Sequence, residues 1–106
     1  MTRSLYLASS SKYRRELLTR LQINFRCESP QIDESPEPDE APLDTCKRLA
    51  REKAMAVATE HPAAIVIGSD QVADVEGVAI SKPGNHDRAR AQLRSMSGKT
   101  IVFHTA

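Results

Sequence analysis

Between Glu28 and Pro42 the sequence reads ESPQIDESPEPDEAP, and this stretch limits the fold more than any other. It holds four of the chain's six prolines. Proline lacks the amide hydrogen that helices and sheet ladders both need, so the stretch reads as a long loop. Loops of this length within a compact domain are usually functional or disordered. Acidity is concentrated here too. Cys27 to Cys46 carries seven acids and no Lys or Arg, whereas the rest of the chain sets fifteen basic residues against the other seven acids. The net charge of +1 therefore hides an acidic segment facing a basic remainder. Such a division suits a polyanionic ligand held by the basic part, with a metal bridging it to the acids. A solvated acidic loop is the plainer account of most of these carboxylates.

Regular elements are readable on both sides of the loop. Ser4 to Ala8 is a short apolar run with the pattern of a buried strand. In SSSKYRRELLTRLQ, Ser9, Ser10 or Ser11 can cap a helix whose Leu17, Leu18 and Leu21 share one face. Ile23 to Arg26 reads as a second short strand. A helix starts around Pro42 to Asp44 with an apolar stripe of Leu43, Leu49, Ala50, Ala54, Val57 and Ala58, and it ends before His61-Pro62. The aliphatic run Ala64 to Ile67 predicts another buried strand, which stops at Gly68-Ser69 and delivers Asp70. Val72 to Val75 and Val78 to Ile80 flank Glu76-Gly77 as a hairpin. Asn85 or Asp87 caps a helix to about Met96, with Ala89, Leu93 and Met96 inward and Gly98 as its stop. Lys99 to Thr105 is a last strand.

This order predicts an α/β fold, a mixed twisted sheet flanked by helices. With 106 residues the chain is one domain at most, with a small reserve of buried surface. No closing helix follows VFHTA, so the pattern is that of an interrupted fold. Cys27 and Cys46 lack metal-type spacing and read as reduced thiols of a cytoplasmic protein. No apolar run is long enough to span a membrane, and SLYLA is too short for a signal peptide core.

Several residues carry chemical promise. SSSKYRR places hydroxyls and free amides at a helix start beside Arg14 and Arg15, a combination suited to phosphate. Asp70 falls at the C-terminal end of a strand, where α/β sheets collect their ligands, although taken alone an acid in a turn is the slightly simpler account. Lys53 and Lys82, each taken alone, read as surface lysines. Ser97 to Thr100 reads SGKT but is no P-loop. The glycine that motif requires would fall at Leu93, and the element order is reversed. His61, His86 and His104 are too scattered for spacing to define a zinc site or a catalytic dyad.

Six stretches taken together resemble the Maf family of nucleoside triphosphate pyrophosphatases. They are LYLASSSKYRRELLTRL, IDE at Ile32 to Glu34, RLAREKA at Arg48 to Ala54, IGSDQV at Ile67 to Val72, SKPG at Ser81 to Gly84 and LRSMSGKTIVFHT at Leu93 to Thr105. They run in family order across almost the whole chain, which corresponds to the N-terminal half of family members. The resemblance implies a hydrolase that cleaves a nucleotide between its α- and β-phosphates with a divalent cation, Mg or Mn. It implies that Asp70 accepts the proton of the attacking water and that Glu34, with Asp70, binds metal. Ser9, Arg14, Lys53 and Lys82 match polar and cationic groups around the triphosphate. Cations there would absorb the charge that grows on the phosphate oxygens.

Two departures point to the substrate. Lys12-Tyr13-Arg14 replaces a common Pro-Arg-Arg, and Asp70-Gln71 replaces a common Asp-Thr. Both resemble the branch acting on 7-methyl-GTP rather than that acting on dTTP and UTP. A methylated guanine is a cationic ring on which Tyr13 can stack, and Gln71 can donate to and accept from a base edge. The resemblance implies a cytoplasmic homodimer whose partner is a nucleoside triphosphate, not a nucleic-acid polymer or a membrane. The alternative is a non-catalytic nucleotide-binding or cell-division regulatory protein, because the family's name reflects a link to septum formation.

Overall fold

The computed structural model describes residues 3–80 and 85–106. Lys82 and the rest of SKPG lie outside the described residues. The chain runs β1 (Leu5–Ala8), α1 (Lys12–Thr19), β2 (Arg26–Cys27), α2 (Pro42–Glu60), β3 (Ile65–Gly68), β4 (Gln71–Val75), β5 (Val78–Ile80), α3 (His86–Met96) and β6 (Ile101–Thr105). The expected mixture of strand directions is present, divided between two three-stranded sheets. One is parallel in the order β2-β1-β3, and the other is antiparallel in the order β5-β4-β6. Parallel neighbours need long crossovers. The proline-rich loop and α2 together form the crossover from β2 to β3.

Helix α2 unites the sheets, packing on β1 and β3 of one and on β4 and β6 of the other. Pro42 is pre-organised for the first helical turn, and Asp44 adds a carboxylate at the positive end of the helix dipole. Its inward face is Thr45, Cys46, Leu49, Ala50 and Val57. Val57 packs with Tyr6 and Ala8 of β1, and Ala64 and Val66 lie against them. Leu43, placed in the apolar stripe by periodicity, is 40% exposed because it faces away in the first turn.

Strand β3 approaches α2 so closely that Gly68 has no room for a side chain. A Cβ there would meet the Ala50 carbonyl oxygen, and the Ala54 Cβ would stand only 2.7 Å away. Gly68→Ala should therefore destabilise the domain by about 1–3 kcal/mol, the usual cost of overpacking, seen as a lower urea midpoint with unchanged slope. The strand is not buried on both faces as its aliphatic run suggested. Val66 and Gly68 face α2, whereas Ile65 and Ile67 stay 51% and 38% exposed.

The hairpin forms at Glu76-Gly77. Both residues have positive φ (52° and 88°), as a tight two-residue turn requires, and the Gly77 amide donates to Asp74 Oδ1 at 2.8 Å. Ser11 caps α1, Asn85 caps α3, and Gly98 (φ 75°) follows the latter's end. The short helices bury less than their patterns suggested. Neither has a buried residue, and Leu21 and Leu93 are about two-thirds exposed. Among the described residues neither helix packs broadly on a sheet, so the apolar stripes are only partly covered, with Leu18, Ala89 and Met96 half-buried. β2 begins at Arg26, later than the Ile23 to Arg26 run, because only Arg26 and Cys27 reach register with Tyr6 and Leu7.

Candidate active site

Asp70 occupies the junction between the sheets, directly after β3 and Ser69 and before β4. Its backbone is held on both sides. The Asp70 amide donates to the Ala106 carbonyl, and the Ala106 amide donates back to the Asp70 carbonyl, each at 3.0 Å. This exchange continues the β4–β6 ladder by one pair. The Cys46 thiol from α2 lies 3.2 Å from both the Asp70 and the His104 carbonyl oxygens, tying the helix to the same point. Burial pushes that thiol above its ordinary pKa, and the Asp70 carboxylate acts in the same direction. Cys46 is therefore a protonated donor here; both it and the exposed Cys27 are free thiols.

Asp70 is buried, with 8% of the residue exposed, and leaves no fully buried side-chain oxygen without a partner. Lys53 Nζ from the middle of α2 donates to its Oδ1 at 2.8 Å and contacts Glu34 Oε1 at 2.8 Å. Glu34 comes from the proline-rich loop, so one ammonium joins the loop, the helix and the sheet junction. Burial opposes the lysine's charge, but its bonds to Asp70 and Glu34 prevail and raise its pKa.

Glu34 and Lys53 also line a cleft of about 160 Å³ with Ser9, Ser10, Ser29 and Ile32. Ser9 is buried and its Oγ accepts from the Ser11 amide at 3.1 Å, which shapes the turn into α1. The cleft thus opens beside a helix N-terminus. Arg14, in the first turn of α1, donates from Nη1 to the Ser69 carbonyl at 3.2 Å and so reaches the residue before Asp70.

The expected residues Ser9, Arg14, Glu34, Lys53 and Asp70 therefore converge on one region from four separate stretches of chain, Ser9 and Arg14 sharing one. Tyr13 and Gln71 are not joined to it in the same way. Tyr13 is 68% exposed, and the Gln71 amide donates to Thr105 Oγ1 at 3.3 Å across the β4–β6 pair. Neither lines the cleft.

The loop that carries Glu34 has a second anchor, which no spacing in the sequence announces. Arg48 of α2 donates from Nε to Glu40 Oε2 at 2.8 Å, from Nη2 to Glu40 Oε1 at 3.0 Å and from Nη2 to the Ser35 carbonyl at 2.9 Å. Its Nη1 reaches both oxygens of Glu52 at 3.1 and 3.2 Å. The Arg48 and Thr45 bonds hold the Glu40 carboxyl down to about pKa 2. Elsewhere, Glu28, Glu60 and His61 place ligand-type atoms within 4.8 Å of one another and could hold a metal ion. The His61 ring is stacked on Tyr6 at 4.2 Å. Glu28 and His61 lie too far apart in sequence for spacing to disclose the group.

A Maf-like protein family model matches residues 4–106. A 7-methyl-GTP pyrophosphatase of Bordetella pertussis is 59% identical over 102 residues, which is 96% of this chain and 51% of that protein. Proteins of the same name from Xanthomonas oryzae pv. oryzae and a Polaromonas species are 57% and 55% identical, covering 96% and 99% of this chain and 54% and 48% of theirs. The chain thus spans about half the length of these curated relatives. No helix among the described residues is long and apolar enough to cross a membrane. With nearly its whole length matched by the family model, the chain belongs to the Maf-like protein family.

Proposed function

We propose that this chain carries the reactive centre of a nucleoside triphosphate pyrophosphatase acting on 7-methyl-GTP. The observation that carries the proposal is the Glu34–Lys53–Asp70 linkage at a cleft beside the α1 N-terminus. Water adds through its oxygen to phosphorus, the α–β anhydride bond breaks, and 7-methyl-GMP and pyrophosphate result. Asp70 takes the proton of that water, and its doubly bonded backbone fixes where the carboxylate points. Ser9 and the amides around it, with Arg14, Lys53 and Lys82, bind the phosphate chain. Arg14 retains guanidinium donors beyond the one spent on Ser69, and two of the three donors of Lys53 are spent on carboxylates.

The residues present fit a divalent cation. Glu34 and Asp70 already share one ammonium, each at 2.8 Å, so both carboxylates can serve a single centre of positive charge. Their hard oxygen donors suit Mg or Mn. Such an ion, when bound, would neutralise charge on the phosphate oxygens. Tyr13 is assigned to stacking on the methylated base and Gln71 to its edge. The substrate assignment rests on these two residues and on the name shared by the relatives above. The enzyme is further assigned to the cytoplasm as a homodimer, consistent with the apolar residues left open on β3 and β6.

Incubation with 7-methyl-GTP and Mg²⁺ or Mn²⁺ should release pyrophosphate faster than incubation with dTTP or UTP, and light scattering of the same sample should give a dimer mass. Faster release from dTTP or UTP would overturn the substrate assignment. Calorimetric binding of 7-methyl-GTP with no product would favour the non-catalytic reading.

A further inference from the structure

We infer that Arg48 is a positioning residue, which sets the metal-binding carboxylate of Glu34 by clamping the loop around it. The inference rests on the proposed role of Glu34. That loop has no ladder and no helix of its own, so its place depends on side-chain anchors. Helix α2 supplies two of these beside Glu34. Lys53 holds the Glu34 carboxylate itself, and Arg48 holds the residue immediately after it through the Ser35 carbonyl at 2.9 Å. The same guanidinium grips Glu40 at the far end of the loop with two bonds, in the planar fork geometry that only arginine presents. Glu52 engages the guanidinium's remaining edge, one helical turn further along α2.

The loop is thus fixed at Ser35 and at Glu40 relative to the helix that bears Lys53. Glu40 is further committed, accepting from Thr45 Oγ1 at 2.7 Å and from the Glu37 amide at 3.1 Å. Without the guanidinium, Glu34 would keep its lysine contact but lose the backbone restraint beside it. A carboxylate free to wander with its loop binds a cation more weakly, as happens when outer partners of metal ligands are removed.

Titration calorimetry with Mn²⁺ alone tests this on the intact chain. Glu34→Gln should weaken Mn²⁺ binding, and Arg48→Met should weaken it roughly 10-fold or more. Arg48→Lys should recover only part of the loss, because it keeps the charge but not the fork. In the Glu34→Gln background Arg48→Met should add nothing further, which a merely structural arginine would not produce. Thermal melting shows whether Arg48→Met still folds. If it does not, Glu40→Gln, which opens the clamp from the loop side, should give the loss instead. Wild-type affinity in the folded clamp variant, or a fully additive loss in the double variant, overturns the inference. Unchanged binding in Glu34→Gln removes the metal reading itself, and this inference with it.

Discussion

Asp70→Asn should lower pyrophosphate release from 7-methyl-GTP by about 10²- to 10⁴-fold, the range general-base removal usually costs. The substitution is isosteric, and its amide oxygen can still accept from Lys53, whose bond to Asp70 Oδ1 is 2.8 Å. The backbone exchange with Ala106 and the thiol contact from Cys46 do not involve the side chain, so the junction between the sheets should survive. What is lost is a group able to take a proton, together with half of the carboxylate pair. These two losses separate under titration. Weakened metal binding alone should be corrected by raising Mn²⁺ to saturation, whereas loss of the base should not. Turnover restored by Mn²⁺ would reassign Asp70 to metal binding only, and undiminished turnover at ordinary Mn²⁺ would remove it from the chemistry.

The strand carrying Asp70 was legible because its aliphatic run ends in Gly68-Ser69-Asp70, and the structure gives that ending two physical causes. Gly68 lets α2 approach, and Asp70 begins the antiparallel ladder with Ala106. The α2 face was legible from period 3.6 at Leu49, Ala50 and Val57. Periodicity misjudged α1 and α3, since a stripe such as Leu17 with Leu21 records only what a helix could bury. Whether anything lies against the stripe is a tertiary matter. The convergence of Ser9, Glu34, Lys53 and Asp70 was visible only through the resemblance of six separate motifs. No local pattern joins residues from a turn, a loop, a helix and a strand end. The Arg48 clamp escaped altogether, because its acceptors outside α2 are a backbone carbonyl and an acid in a loop that looked merely solvated. The same limit hid Glu28 beside Glu60 and His61, because Glu28 reaches that adjacent pair through tertiary folding and not through spacing.

Lys53→Met should separate stability, metal affinity and turnover, which most site substitutions change together. The methionine side chain keeps most of the lysine's apolar length but leaves Asp70 nearly buried without its cation, and Glu34 without that contact. Removing one partner of a buried ion pair is costly. Because Glu34 is 56% exposed, the loss here should sit below the fully buried range, at about 2 kcal/mol. In a domain of this size that lowers Tm by roughly 10 °C in metal-free buffer. A divalent ion can take over the role the ammonium gave up, since both carboxylates then lack a counter-charge. Mn²⁺ should therefore raise the melting temperature of the variant more than that of the wild type, and calorimetry should show tighter binding to the variant. Turnover should nevertheless stay low, because the ion neutralises the acids but does not restore the cation assigned to the phosphate chain. This pattern requires the ammonium to compete with metal for the same two carboxylates. Weaker Mn²⁺ binding in a folded Lys53→Met variant would show instead that the lysine supports the metal site, and would overturn the competition.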